Sequence, residues 1–321
     1  VLSAPGNVFQ VYEDNPGFKF SAWDIAYHLE EYSYPVRQTE SWRLKANGPL
    51  FAVFTSRWQV LDSTIEQEMW LYANDPRIDF QTSVEWQNSQ KLMKVAFPLQ
   101  VRSRFATYDL PFGNIERATH RNTSWEQAKF EVCGHKWADM SEGNYGVALL
   151  NDCKYGYDAR ENVLRLSLIR SPIRPDGQSD VGSHVFTYSL LPHAGNWRQA
   201  QVDRQAYELN IPAIAVEIDK ESDQSRSNIP VKQSLVEVAS SNLIVETIKQ
   251  AEDGDGLMFR TFDNHGSHTK TRFISALEII DVAETDLLEE KIERVELISP
   301  HQFQANFTPY EIKTHKLVIK K

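Results

Sequence analysis

Only two of the 321 residues are cysteine, Cys133 and Cys153. So few cysteines argue against a disulfide framework and fit a reducing compartment, which predicts a cytoplasmic location. Cys133 and His135 resemble half of a metal site, but no second Cys/His pair follows at the spacing that zinc requires. We therefore expect two small buried thiols and no metal in this chain.

The chain also lacks an excess of positive charge and any long apolar run. The sequence has 34 Lys and Arg and 44 Asp and Glu, which gives a net charge of −10. This negative charge argues against a nucleic-acid partner. No apolar run approaches the length of a membrane span, and no basic amphipathic segment suits a membrane surface. Ser3, Pro5 and Gly6 interrupt any candidate signal peptide, and the initial Val suggests a trimmed or excised N-terminal segment.

Familiar catalytic motifs are missing as well. The sequence contains no Gly-x-Ser-x-Gly, no phosphate-binding glycine loop and no His-Glu-x-x-His. Asp263, His265 and His268 form a short acidic-histidine cluster, for which a solvated turn is a simpler interpretation than a metal site. Carboxylates are abundant, but sequence alone does not show which two would face one substrate bond.

The strongest positive signal is the alternation of apolar and polar residues. It predicts antiparallel strands over residues 65–71, 78–86 and 95–101, with residues 95–101 returning as the partner of residues 78–86. Pro98 would then have to lie at an edge or a bulge. Residues 199–209 contain enough helix formers for one short helix.

The length of the chain suggests two domains. Residues 219–232 are charged and serine-rich with one proline, which predicts a linker. We therefore predict a β domain over residues 1–218, with a lead-in segment of about residues 1–40, and a small C-terminal β-sandwich over residues 233–321.

Three short segments carry polar and aromatic side chains that suit a polyhydroxylated ligand. An aromatic face beside a carboxylate, as at residues 23–24, can bind the apolar face and the hydroxyls of a sugar, although a packed tryptophan with a capping aspartate is the alternative. Two glycine-containing loops, residues 151–158 and 174–184, can bracket vicinal hydroxyls, or they can simply be turns. The candidates for a substrate rim are Trp23, Asp24, Asp152, Lys154, Tyr155, Arg174, Asp176, Asp180 and His184.

A long central stretch makes the sequence recognisable. It reads GNIERATHRNTSWEQAKFEVCGHKWADMSEGNYGVALLNDCKYGYD and is followed by LRLSLIRSP and PDGQSDVGSHVFTYSLLPHAGNW. These motifs resemble the C-terminal β region of glycoside hydrolase family 38 α-mannosidases, in the cytosolic, vacuolar and bacterial branch. The opening NVFQVYEDNP and SAWDIAYHLEE and the late FTPYEIKTHKL are also similar to that family, so the resemblance covers nearly the whole chain.

The resemblance implies an all-β fold: a large mutarotase-like antiparallel supersandwich followed by a smaller β-sandwich. It also implies that the catalytic aspartates and a zinc ion lie in an N-terminal barrel, which nothing in this sequence resembles. We therefore expect the non-catalytic C-terminal part of a retaining α-mannosidase that hydrolyses terminal α-mannosides from oligosaccharides. No catalytic residue is expected here, and zinc is expected in the missing domain. The implied partners are the barrel and helical bundle of the same parent protein, a mannose-containing oligosaccharide, and a second copy that covers the face left open.

Two alternatives remain. The chain could be a stand-alone carbohydrate-binding or structural module. It could also be a sugar epimerase of the same architecture, which needs a Glu base and a His acid that converge on one ring. His120, His135, His184 and His193 are available, but none has an assignable Glu partner.

Overall fold

The computed structural model describes residues 1–15, 17, 21–25, 27–217 and 232–320. The chain divides into two compact units. The large unit comprises Val1–Leu110 and Ile115–Pro212, and the small unit comprises Pro111–Asn114 and Ala213–Lys321. Residues 219–231 of the predicted linker lie outside the described residues, so the predicted domain limits stay a prediction.

The first part of the chain is built from fifteen described strands, two α-helices and two 3₁₀ turns. The turns are Ser21–Trp23 and Leu29–Glu31, and the helices are α1 (Ser124–Gln127) and α2 (Val202–Asn210). The strands are β1 (Val8–Glu13), β2 (Ser33–Tyr34), β3 (Arg37–Asn47), β4 (Phe51–Val60), β5 (Ser63–Tyr72), β6 (Asp75–Trp86), β7 (Lys91–Pro98), β8 (Phe105–Leu110), β9 (Gly113–Ala118), β10 (Val132–Cys133), β11 (Trp137–Ser141), β12 (Tyr145–Asn151), β13 (Gly156–Arg160), β14 (Val163–Arg170) and β15 (Gly182–Ala194).

These strands form two antiparallel sheets that enclose one core. The six-stranded sheet has the order β10-β13-β14-β7-β1-β2, and the nine-stranded sheet has the order β3-β4-β5-β6-β15-β12-β11-β8-β9. Alternate residues along the central strands point into the shared core, because successive side chains of a strand face opposite sides of the sheet. Representative core side chains are Val11, Phe80, Val84, Val95, Phe97, Val147, Leu149, Leu164, Phe186 and Tyr188.

The structure corrects the predicted partner of β7. This strand pairs with β1 and β14 in the six-stranded sheet, whereas β6 pairs with β5 and β15 in the other sheet. Residues 87–90 therefore cross between the two sheets. Buried polar contacts hold this crossing: Asn88 donates to the Ser63 hydroxyl, and its carbonyl accepts from Ser171 at 2.7 Å. The prediction for Pro98 was also wrong, because Pro98 lies opposite Val163 at the end of an interior strand.

The predicted short helix is confirmed as α2. Its buried Val202 and Ala206 cover the outer face of the nine-stranded sheet, where they pack with Trp137, Leu150 and Leu191. Within the described residues, no helix has the length and the apolar composition needed to cross a membrane.

The small unit is a second pair of antiparallel sheets with an aromatic core. One sheet has the order β16-β19-β23-β22 and the other β17-β18-β24-β20-β21. Phe259, Phe273, Phe303 and Phe307 pack between the sheets. The strands are β16 (Val236–Val238), β17 (Leu243–Gln250), β18 (Leu257–Asp263), β19 (Thr269–Ser275), β20 (Ile279–Thr285), β21 (Lys291–Val295), β22 (Leu297–Ser299), β23 (Gln302–Phe307) and β24 (Ile312–Ile319).

Candidate functional site

The outer face of the six-stranded sheet carries a buried ion network. Strand pairing places Asp158 of β13 opposite Arg165 of β14, and Lys94 of β7 lies opposite Ser167, two residues beyond Arg165 on β14. Lys94 Nζ lies 2.7 Å from Asp158 Oδ2 and 3.0 Å from a Glu131 oxygen, and Arg165 Nε lies 2.7 Å from Asp158 Oδ1. Opposite charges therefore neutralise one another on a face that is covered by protein.

Burial and ion pairing shift the pKa values of these groups in opposite directions. Burial by itself would lower the pKa of Lys94, but the carboxylates of Asp158 and Glu131 raise that pKa above its usual value. Burial would raise the pKa of Asp158, yet Lys94 and Arg165 lower it. Both partners therefore stay charged at neutral pH, which makes the network costly to break from one side.

The network also holds the lead-in segment against the sheet. Glu30, at the second 3₁₀ turn, lies 2.5 Å from Arg165 and 2.9 Å from Arg160. Leu29 of the same turn packs on Tyr12 and Leu92 of the sheet. An ion pair and an apolar contact thus fix one end of the segment.

Arg170 fixes the other end of the lead-in segment. Its guanidinium donates to the buried Asp14 carboxylate, with Nε at 2.6 Å. It also donates to the carbonyl oxygens of Ser21, at 2.7 Å, of Ala22, at 3.2 Å, and of Asp24. One side chain therefore shapes the first 3₁₀ turn, which carries an exposed tryptophan.

That turn forms one wall of an open groove of about 310 Å³. Its lining includes Trp23, Asp24, Phe130, Glu131, Tyr155 and Gly156. Trp23 is 70% exposed and Tyr155 is 54% exposed, so both aromatic rings contribute solvent-exposed surface to the groove. The volume lies at the small end of ligand pockets and suits a single sugar ring.

Three of the nine candidate rim residues, Trp23, Asp24 and Tyr155, line this groove. Two others on the same loop as Tyr155 have contacts elsewhere. Asp152 accepts a hydrogen bond from the Thr187 amide at 2.9 Å, and the Lys154 amine lies 4.5 Å from the centre of the Phe186 ring.

The remaining four candidates belong to the 174–184 loop and do not line the groove. The Arg174 carbonyl accepts from the Ala22 amide at 3.1 Å, which ties this loop to the turn that carries Trp23. Asp176 accepts from the Gln178 amide at 3.0 Å, and His184 Nε2 lies 2.8 Å from the Asp180 carbonyl. The Asp176 carboxylate therefore stabilises its own loop, and His184, at the start of β15, contacts that loop through the backbone carbonyl of Asp180.

Sequence reasoning did not select the other residues that line the groove, among them Glu131, Gly156 and Arg170. One signal that could have revealed the ion network was available, since Lys94 and Arg165 interrupt apolar runs, LMKVAF and LRLSL, that otherwise read as strands. A charged residue in such a run predicts a buried partner.

Metal binding finds no support in the described parts of the chain, where no group of three or more His, Cys, Asp or Glu could hold an ion. At the Asp263 turn, the carboxylate accepts instead from Asn242, from the Ser267 amide at 2.9 Å and from the Tyr310 amide at 3.0 Å. The two thiols were predicted to be buried, and this was wrong. Cys133 and Cys153 are both exposed, unpaired cysteines, because Cys133 lies on the edge strand β10 and Cys153 lies in the segment that joins β12 to β13.

Comparison with known families identifies the chain. Residues 1–178 match the model of the glycosyl hydrolases family 38 C-terminal domain, and residues 242–315 match the family 38 C-terminal beta sandwich domain. The chain belongs to glycosyl hydrolase family 38. The resemblance and the all-β fold class stated above are thereby confirmed.

Relatives in family 38 are much longer than this chain. Human alpha-mannosidase 2C1 is 37% identical over 327 residues, which cover 99% of this chain and 30% of that protein. The alpha-mannosidase of Saccharomyces cerevisiae is 32% identical, covering 89% of this chain and 28% of its own length. An alpha-mannosidase structure from Enterococcus faecalis shares the fold, with a TM-score of 0.74 at 15% identity, and covers 96% of this chain and 38% of that one.

Proposed function

We propose that this chain is the non-catalytic part of a retaining α-mannosidase, and that its groove orients a mannose unit at the rim of the active site. In this proposal, a barrel with the catalytic aspartates and zinc, and a helical bundle, belong to the same parent protein. The parent hydrolyses terminal α-mannosides from oligosaccharides. The fact that the chain spans about 30% of its human relative supports this division of labour.

The single observation that carries the rim role is the convergence of Trp23, Asp24 and Tyr155 on one groove of sugar size. Aromatic faces pack against the apolar C–H face of a pyranose, and a carboxylate accepts hydrogen bonds from its hydroxyls. Positioning of this kind contributes to catalysis by holding the substrate in a reactive geometry, without any covalent step in this chain.

Three further expectations belong to the same proposal. The two exposed, unpaired cysteines are compatible with a cytoplasmic parent enzyme. The division into domains 1–218 and 233–321 joined by a linker is consistent with the two compact units. The surface that would face the barrel is expected to drive self-association of the isolated chain, which sedimentation at increasing concentration would reveal.

The division of labour is tested by hydrolysis of an aryl α-mannoside. We expect no turnover by this chain and zinc-dependent turnover by the full-length parent protein. Two carboxylates, Asp24 and Glu131, do line the groove. Turnover by the isolated chain that disappears in Asp24→Asn would show that these residues cleave the bond themselves, and the non-catalytic assignment would then be wrong.

The rim role is tested by titrating mannobiose into the wild-type chain and three variants. We expect Trp23→Ala and Tyr155→Ala each to weaken binding about 5- to 30-fold, because a stacking aromatic ring contributes about 1–2 kcal/mol to binding. Asp180→Ala is the matched control, because Asp180 lies in the loop that does not line the groove. Equal affinities in all four proteins would contradict the rim role.

A further inference from the structure

We infer that Glu131 is the specificity-determining residue of the groove: it accepts a hydrogen bond from a sugar hydroxyl and selects neutral mannosides over phosphorylated or carboxylated ones. This inference rests on the proposed sugar-binding role of the groove. It adds a residue that the sequence analysis did not select and the chemical class of sugar that the groove accepts.

Glu131 is anchored from beneath the groove. It directly precedes β10, an edge strand that pairs with β13. Its side chain is 17% exposed, and one carboxylate oxygen lies 3.0 Å from Lys94 Nζ, whose side chain is 2% exposed. A buried ammonium that cannot leave its place thus fixes the carboxylate, so the geometry of Glu131 is set before a ligand arrives.

Gly156 leaves the space that the other oxygen of Glu131 occupies. Gly156 lies opposite Cys133 in the β10–β13 pair and lines the same groove. A side chain at position 156 would collide with Glu131 Oε1 and press on Ser167. Because glycine has no Cβ, the carboxylate can lie across the strand at the groove wall.

The groove presents acceptors and few donors. The only Lys or Arg among its described lining residues is Arg170, whose guanidinium is already bonded to Asp14 and to three backbone carbonyls. Asp24 and Glu131 offer carboxylate oxygens, which only accept. Sugar hydroxyls can donate to them, whereas the phosphate or carboxylate of an acidic sugar would meet carboxylate oxygens that cannot donate and no lining cation that is free to pair with it.

The test compares methyl α-mannoside with its 6-phosphate in titrations of the wild-type chain, Glu131→Gln and Gly156→Ala. We expect the wild-type chain to bind the neutral sugar at least 10-fold more tightly than the phosphate. Glu131→Gln should bind the neutral sugar about 10- to 100-fold more weakly, because it loses a hydrogen bond to a charged acceptor. Its preference for the neutral sugar over the phosphate should also be smaller than that of the wild-type chain. Gly156→Ala keeps the Glu131 carboxylate but displaces it, so this variant should also bind the neutral sugar more weakly than the wild-type chain does.

Glu161→Gln is the matched control, since Glu161 is exposed and does not line the groove. Suppose that the wild-type chain binds the neutral sugar and that Glu131→Gln binds it with the same affinity as Glu161→Gln. The inferred role of Glu131 would then be wrong, but the proposed sugar-binding role of the groove would stand. If the wild-type chain binds the phosphate as tightly as the neutral sugar, the specificity inference is wrong whatever the variants do. If it binds neither sugar, the groove role and the inference both fail.

Discussion

Two buried bases, one in each unit, are held in opposite ways. In the large unit, Lys94 lies within 2.7 and 3.0 Å of two carboxylates. In the small unit, His315 is fully buried, with ring centres of Phe303 and Phe273 at 5.2 and 5.8 Å. Among the described residues neither nitrogen of His315 has a hydrogen-bond partner.

The difference between the two environments sets the charge of each base. The paired carboxylates raise the pKa of Lys94 despite its burial, whereas burial, with a smaller contribution from Lys313, lowers the pKa of His315 to about 4. The large unit therefore keeps buried charges next to the groove that it supports. The small unit instead keeps a neutral base inside an apolar, aromatic core.

The largest effect is expected from Asp158→Ala in the large unit. The substitution leaves Lys94 and Arg165 without the carboxylate that they share, so we expect a loss of about 3–5 kcal/mol of unfolding free energy. Denaturant unfolding followed by tryptophan fluorescence measures it. The control is Glu66→Ala, which removes an exposed ion pair with Arg57 and should cost less than about 1 kcal/mol. Similar losses in the two variants would show that the network contributes no more than a surface pair.

The next effect is a pH dependence of the small unit. The folded pKa of His315 is about 4 and the unfolded value is about 6.5, so the unfolded state binds more protons between these values. This contribution to stability is complete above about pH 6.5 and is lost as the pH falls towards 4. Between pH 7 and pH 5 we expect a loss of about 2 kcal/mol that His315→Phe abolishes.

The matched control for this pH dependence is His268→Phe, which changes an exposed histidine of the same unit. It should keep the wild-type dependence on pH. Unfolding free energies at the two pH values provide the measurement, and an unchanged slope in His315→Phe would mean that this imidazole is not the group responsible.

The smallest expected effect is a difference in unfolding free energy between removing a buried hydroxyl that has a hydrogen-bond partner and removing one that has none. Thr82 in the large unit accepts from Gln67 at 2.8 Å, whereas among the described residues the Thr261 hydroxyl in the small unit has no partner. Thr82→Val should cost about 1–2 kcal/mol, because it leaves a buried amide donor with one acceptor fewer, and Thr261→Val should be close to neutral. Equal costs at the two positions would remove the distinction between the two units.

Alternation along the chain was enough to predict most strands and the all-β class, because each strand buries one face. It did not predict the partner of β7, since that partner depends on buried contacts of Asn88 and Ser171 that are 83 positions apart. The helix α2 was predictable from local composition, whereas the exposure of both cysteines was not, because it depends on the tertiary positions of β10 and of the segment between β12 and β13.

The candidate site was also predictable only in part, because it too depends on contacts between residues that are far apart in the sequence. Trp23, Asp24 and Tyr155 meet in one groove because Arg170 holds the lead-in turn, a contact across 146 to 156 positions of sequence. Asp176 has the same residue type and a similar loop context as a ligand-facing aspartate, yet its carboxylate accepts from the Gln178 amide of its own loop. Local sequence does not distinguish these two uses of an aspartate.

The most direct test of the sugar-binding groove is a map of mannobiose contacts on the chain by NMR, with backbone amides and tryptophan indoles labelled. We predict saturable shift changes at the Trp23 indole and at the amides of Tyr155 and Gly156. Saturable changes confined to residues 174–184, or no saturable change at all, would contradict the assignment of this groove as the rim of the sugar site.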